Sequence, residues 1–308
     1  MATDYILFIH GVNTRERREE PEFADKLFGL IEKSVEPPLN VEKVALYWGD
    51  VNTEAENQLT DQLINSPAWK QLWFKDFREK QLLQFVGDAA LYLSRHVGAN
   101  VIRKLKVDAE RLLERYQPGD RLHLVTHSWG TVILFDVLFA DRWEKEDIPP
   151  EDRKNVRDIR RLLFGLEPER EEGIRLSSIH TMGSPIALFS LISVNGSTHD
   201  FKPRLNQLLQ ALFNKTHKKL PWLNFIHPGD PVAWPFEKVM FNLVDKQAEL
   251  LIFEDVITHN TDLSDFITQP LSQTILALLH GGDAHGSYWT SKQVTNRIVE
   301  QIKQVANE

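Results

Sequence analysis

Leu122-His123-Leu124-Val125-Thr126-His127-Ser128-Trp129-Gly130-Thr131-Val132-Ile133 is an apolar run that ends at a serine, followed almost at once by a second apolar run of helical character. A strand that turns straight into a helix lifts the residue at the turn above the sheet. Bulk two positions away on either side would strike the adjoining backbone. Gly130 meets that demand after Ser128, and Thr126 stands on the other side, where a second glycine would be the simplest solution. The expectation is a serine hydroxyl on a sharp, solvent-facing turn.

Other short apolar runs alternate with longer helical patterns along the chain, the signature of a parallel sheet with crossover helices. The expected strands are Tyr5 to Ile9, Val41 to Trp48, Arg121 to Thr126, Leu176 to Met182, Leu223 to His227 and Leu251 to Ile257. Several read as unbroken apolar runs, as strands buried on both faces do. Residues 52–117 are expected to form a helical connection. In it Ser66-Pro67 supplies a helix opening, and Val101, Leu105, Ala109, Leu112 and Tyr116 recur at helical spacing before Pro118-Gly119. Residues 142–175 are rich in charges of both signs and are interrupted by Pro149-Pro150, which reads as a solvated helical insertion or as a lid. From Ser291, Val294, Ile298, Ile302 and Val305 form one apolar stripe of a closing helix.

The strand-serine-turn stretch resembles the nucleophile elbow of the α/β-hydrolase superfamily, esterases and lipases included, usually written G-x-S-x-G. Thr126 is the departure from that pattern. The resemblance extends along nearly the whole chain in short motifs. His10-Gly11-Val12-Asn13 ends the first strand and is similar to the superfamily's His-Gly motif, with His10, Gly11 and Gly130 as supporting positions. The likeness implies an oxyanion hole built from the backbone N–H groups of Val12 and Trp129. It implies a triad in the order serine, acid, histidine. Asp230, in Pro228-Gly229-Asp230-Pro231-Val232, is the candidate acid, with Asp255 as the alternative. His285, in Ala284-His285-Gly286-Ser287-Tyr288, is the candidate base, with His280 and His259 as alternatives. Met182-Gly183-Ser184-Pro185 resembles a turn common in lipase-like members.

The fold expected is therefore an α/β-hydrolase fold in one domain over 1–308. It would have a mostly parallel sheet of about six or more strands, helices on both faces, and no antiparallel hairpin before the His-Gly strand. The activity implied is cleavage of a carboxylic ester or related acyl bond of a small molecule through Ser128, Asp230 and His285. Thioesterase, amidase and acyltransferase chemistry on the same site stay open, as does a non-catalytic scaffold that binds a ligand or partner. No cofactor and no metal is expected. His123 and His127 lie along a strand and its turn rather than on one helix face.

Composition narrows the partners. The 308 residues carry a formal charge of −8, which argues against nucleic acid, where Lys and Arg must neutralise phosphates. With no cysteine, disulfides, thiolate metal sites and cysteine nucleophiles are excluded. No apolar run approaches the roughly 18 residues of a membrane span, and the first residues lack a basic region with a long apolar core. A soluble, cytoplasmic protein is the expectation. Trp48, Trp129, Trp234 and Trp289 fall near strand ends or site loops, where they line either a pocket or the core.

Overall fold

The computed structural model describes residues 2–11, 21–35, 39–51, 53–71, 95–113, 115–166, 172–191, 201–258 and 284–307. Six strands, β1 (Thr3–Ile9), β2 (Asn40–Leu46), β3 (Arg121–His127), β4 (Arg175–Met182), β5 (Leu220–Ile226) and β6 (Leu251–Ile257), form one sheet in the order β2-β1-β3-β4-β5-β6. Every pairing in it is parallel. Parallel neighbours require long crossovers, and these supply α1 (Asp25–Ser34), α2 (Thr53–Ile64), α3 (Arg95–Leu113), α4 (Trp129–Phe139), α5 (Pro150–Arg161), α6 (Ile186–Leu191), α7 (Lys202–Thr216) and α8 (Glu237–Leu243), while α9 (Lys292–Asn307) follows β6.

Alternation along β1 shows why its sequence is apolar without interruption. Tyr5, Leu7 and Ile9 join a core with α3, α4, α5, α7 and α8, whereas Ile6 and Phe8 join a second core with α1 and α9. Helices thus cover both faces, and Val294, Ile298 and Ile302 of α9 are buried as the stripe requires.

All six expected strands form, several of their ends displaced by one to three residues, and two of the displacements have a clear physical reason. β5 begins at Leu220 rather than Leu223: its ladder to β4 starts at Trp222, beyond Pro221, so that ladder asks no N–H of the proline. β2 ends at Leu46 rather than Trp48, because Trp48 turns aside to brace β1. Its backbone N–H donates to His10 Nε2 at 3.1 Å and its indole N–H to the His10 carbonyl at 3.0 Å. In the 52–117 connection, Ser66-Pro67 opens a short 3-10 turn, Pro67–Gln71, rather than an α-helix. Residues 72–94 lie outside the described residues.

At the amino ends of the central strands a buried polar chain locks the register. Asp4, fully buried, accepts from Arg121 Nε at 2.6 Å and Nη2 at 2.7 Å, and from His123 Nε2 at 2.9 Å. His123 Nδ1 accepts from the Ser178 hydroxyl at 2.6 Å, which in turn accepts from His180 Nε2 at 2.8 Å. Burial pushes the Asp4 carboxyl up, but the hydrogen bonds from Arg121 and His123 and the charge of Arg121 outweigh it and hold the group below the usual carboxylate range. Burial also holds His123 and His180 below the ordinary imidazole range. Both are neutral at physiological pH.

The charged insertion is docked through Arg160, the one buried arginine among its described residues. Arg160 donates to the carbonyls of Val137 at 2.9 Å and Ala140 at 2.7 Å and to Glu144 at 2.9 Å. It thereby caps the carboxyl end of α4, which would otherwise leave carbonyls unmet. That end lies about 16 Å along the helix from Ser128, at 1.5 Å per residue.

Candidate active site

The strand order reverses direction at β1: the chain crosses to β2 on one side, then to β3 on the other. Where crossovers part in this way, the carboxyl ends of the two strands border a crevice, the usual ligand position in open α/β sheets. His10-Gly11 follows β1 and Ser128 follows β3, so both motifs meet there.

Ser128 has φ 54° and ψ −132°, a left-handed conformation rare for a residue with a side chain and costing about 1–3 kcal/mol. Its neighbours hold it. Its N–H donates to the Met182 carbonyl at 2.9 Å, and its own carbonyl accepts from Thr131 N–H at 3.1 Å. Gly130 lies so close to β1 that an added Cβ would stand 2.2 Å from the His10 carbonyl oxygen, and a Cβ on Gly11 would stand 2.5 Å from Ser128 Cβ. Thr126 fits in place of glycine because its hydroxyl hydrogen-bonds that of Thr131 at 2.8 Å. A strained serine at a strand-to-helix turn, on an all-parallel sheet of this order, decides the architecture. The chain has an α/β-hydrolase fold.

In this fold the acid and base candidates meet. His285 Nδ1 donates to Asp230 Oδ2 at 2.8 Å. The same carboxylate oxygen accepts from the Tyr288 hydroxyl at 2.8 Å, while Asp230 Oδ1 accepts from Val232 N–H at 2.9 Å. Tyr288 is itself fixed by the His227 N–H, which donates to its oxygen at 2.8 Å. Burial pushes the Asp230 carboxyl up, but the bond and charge of His285, then Val232 and Tyr288, hold it below the usual carboxylate range. Burial and the Asp230 charge raise the Tyr288 phenol, which stays protonated. Gly183, at φ 56°, lies under the pair: a Cβ there would stand 2.8 Å from Asp230 Oδ2 and 3.1 Å from His285 Cε1.

Met182-Gly183 therefore bridges the serine to the pair, with Met182 bonded to Ser128 and Gly183 against His285 and Asp230. Ser128 Oγ and His285 Nε2 are both buried, and neither makes a hydrogen bond to a described residue. Ser128 is fully buried, which corrects the expectation of a solvent-facing hydroxyl. Gly11 lies against its side chain, and its backbone N–H is tied to the end of β4. The His285 side chain retains 18% exposure.

Other histidines build the walls. His127 donates through Nε2 to the His285 carbonyl at 2.7 Å, and the two rings lie 4.6 Å apart. Burial, and then the His285 charge, lower the His127 pKa to about 3. It is a neutral brace for the base. His10 stacks on Trp48 at 5.3 Å, and its Nδ1 donates to the Gly11 carbonyl at 2.6 Å, which fixes its tautomer. Trp289 packs edge-on to His127 at 5.3 Å. Trp48 and Trp129 are core residues, whereas Trp234 is 43% exposed.

Val12, His259 and His280 lie outside the described residues. Trp129 is the first residue of α4, where backbone N–H groups face away from the helix. Asp255 is engaged elsewhere. It accepts from Phe236 N–H and Glu237 N–H, both at 3.0 Å, and so caps α8. Among the described residues, no three His, Asp or Glu side chains converge as a metal site would require, and no helix is long and apolar enough to cross a membrane.

No protein-family model matches the chain, and no curated protein matches it. Among solved structures, esterase B from Lactobacillus rhamnosis overlaps 99% of this chain and 76% of its own, at 9% identity and TM-score 0.37. Est1E from Butyrivibrio proteoclasticus overlaps 98% of this chain and 89% of its own, at 10% identity and TM-score 0.37. Likeness at this level carries no argument about substrate or activity, and the fold rests on the chain's own strand order and turn.

Proposed function

We propose that this chain is a serine hydrolase cleaving an ester or related acyl bond of a small molecule. The observation that carries the reading is the 2.8 Å bond from His285 Nδ1 to Asp230 beside a strained serine at the switch point. With Nδ1–H given to the carboxylate, His285 Nε2 holds a lone pair for the serine proton. Ser128 Oγ attacks the acyl carbon as that proton passes to Nε2, and Asp230 stabilises the imidazolium. The developing oxyanion takes the backbone N–H groups of Trp129 and Val12. Protonated His285 then gives its proton to the leaving group. Water, deprotonated by His285, releases the acyl group from Ser128 and restores the enzyme. The Ser128 to His285 contact forms as substrate enters, since such bonds are often long or misaligned beforehand.

A fluorophosphonate probe tests this directly: Ser128 Oγ displaces fluoride and retains the phosphonyl group. Mass spectrometry is expected to find the adduct on Ser128, and Ser128→Ala to lose both label and turnover of p-nitrophenyl acetate, by roughly 10⁶-fold in kcat. The full burial of Ser128 favours a second reading, a ligand-binding scaffold without catalysis. Absence of labelling with the fold intact would establish that reading and sink the first.

A further inference from the structure

At the amino ends of β4, β5 and β6, roughly 20 Å from the site at 3.3 Å per residue, the surface opens into a cleft of about 310 Å³. Arg175, Lys215, Lys218 and Lys219 line it, with Gln301 and aliphatic side chains such as Ile252, and no acidic residue is among its described walls. Four cations around one small space are notable on a chain whose net charge is −8.

The placement of Arg175 adds a second observation. In the β3–β4 register it lies directly beside Arg121, and like charges so placed repel. Arg121 is satisfied by Asp4, at 2.6 and 2.7 Å. Arg175 makes no ion pair with a described residue; burial and the Arg121 charge bear against its protonated form, and the Asp4 charge offsets them only in part. Two of the lysines are met by neutral groups, Lys215 by the Phe164 ring at 4.0 Å and Lys219 by the Ala248 carbonyl at 2.6 Å. Neither contact compensates the charge.

We propose that this cleft binds a small, soluble phosphate-bearing anion. A guanidinium fork suits two phosphate oxygens at once, and ammonium groups follow as point charges. The clustering of four cations favours a multiply charged anion over a single carboxylate. The volume lies at the lower end of ordinary small-molecule sites. This site is independent of the hydrolase reading and shares no residue with it.

Titration calorimetry of the intact chain with pyrophosphate, at low ionic strength, is the test. Binding is expected, with Arg175→Gln and Lys218→Gln each weakening it at least tenfold. Lys218 is exposed, so its variant carries the test if Arg175→Gln does not fold. Lys33→Gln in α1 removes the same charge elsewhere and is expected to bind as the parent does. No heat from the parent chain would overturn the proposal, and so would equal weakening by Lys33→Gln, which would mean diffuse electrostatics. A third arm uses phosphatidylcholine vesicles with and without phosphatidic acid. Co-sedimentation with the acidic vesicles, without pyrophosphate binding, would replace the soluble ligand by a lipid headgroup and overturn the proposal as stated.

Discussion

A methyl group at position 130 would meet the His10 carbonyl oxygen at 2.2 Å and its carbon at 2.8 Å, so the helix after Ser128 can approach β1 only with glycine there. Gly130→Ala is expected to cost about 3 kcal/mol, because backbone cannot yield as a flexible side chain would; urea unfolding measures it. Ser128→Ala is a different case. Its hydroxyl is buried without a hydrogen-bond partner among the described residues, so removing it is expected to leave stability unchanged or slightly raised. A clear loss of stability in that variant would show that the hydroxyl is bonded. Tyr288→Phe takes one donor from Asp230 and removes the hydroxyl that the His227 N–H bonds. The expected result is a kcat about tenfold lower, equivalent to about 1.4 kcal/mol. The acid limb of the pH profile, set by protonation of His285, is expected to move up, since a carboxylate with one donor fewer stabilises the imidazolium more strongly. An unmoved profile would make Tyr288 merely structural. In the sequence, Tyr288 was visible only as part of Ala-His-x-x-Tyr, and nothing local marked it as the anchor of the acid.

Among elements, the strands were legible because burial on both faces writes itself as an apolar run. Pro221 hid the start of β5, since the ladder it spares belongs to β4, a neighbour the local sequence does not name. Asp255 and Asp230 looked alike as acids beside late strands. What separates them is the partner each finds, the amino end of α8 for one and His285 for the other. The charged insertion was ambiguous for a related reason: Arg160 is one arginine among many until α4 presents it with two carbonyls. Arg160→Ala is expected to destabilise the chain by about 3 kcal/mol by exposing those carbonyls and Glu144 to an empty space, again read by urea unfolding. α5 also pairs with α3 through Lys106 and Asp158, at 2.6 Å. The absence of cysteine makes a direct experiment available. Cysteines at 106 and 158 joined by a short bismaleimide are expected to leave ester turnover within twofold of the uncrosslinked variant. Loss of turnover on cross-linking would show that α5 must move.

For the molecule as a whole, three buried histidines set the response to acid. His123, His127 and His180 are held below the ordinary value of 6.5, chiefly by burial. The unfolded chain therefore takes up protons that the folded one refuses. Their contribution to stability is fully present above pH 6.5 and is lost as pH falls toward the depressed folded values. Between pH 7.5 and 5.5 His127, lowered to about 3, is expected to cost about 1.4 kcal/mol, and His123 and His180 add losses of the same sign. Urea unfolding at the two pH values reads it, and equal stabilities would contradict the burial of these rings. Nothing local in the sequence marked these histidines as buried and satisfied, because the bonds of His123 and His180 cross from β1 to β3 to β4 and that of His127 reaches the His285 carbonyl.

That crossing has a consequence for how the chain is made. Asp4 leaves the ribosome 117 residues before Arg121, an interval of roughly 6–23 s at ordinary elongation rates of about 5–20 residues per second. Throughout it, β1 has no neighbour on its β3 side and carries an apolar run with an uncompensated carboxylate near its start. The carboxylate keeps that segment hydrated, and so resists sticking to other nascent chains, until β3 arrives and its arginine and histidine allow the charge to be buried. Asp4→Asn would then be expected to leave more of the newly synthesised chain in the insoluble fraction than its effect on the finished fold accounts for.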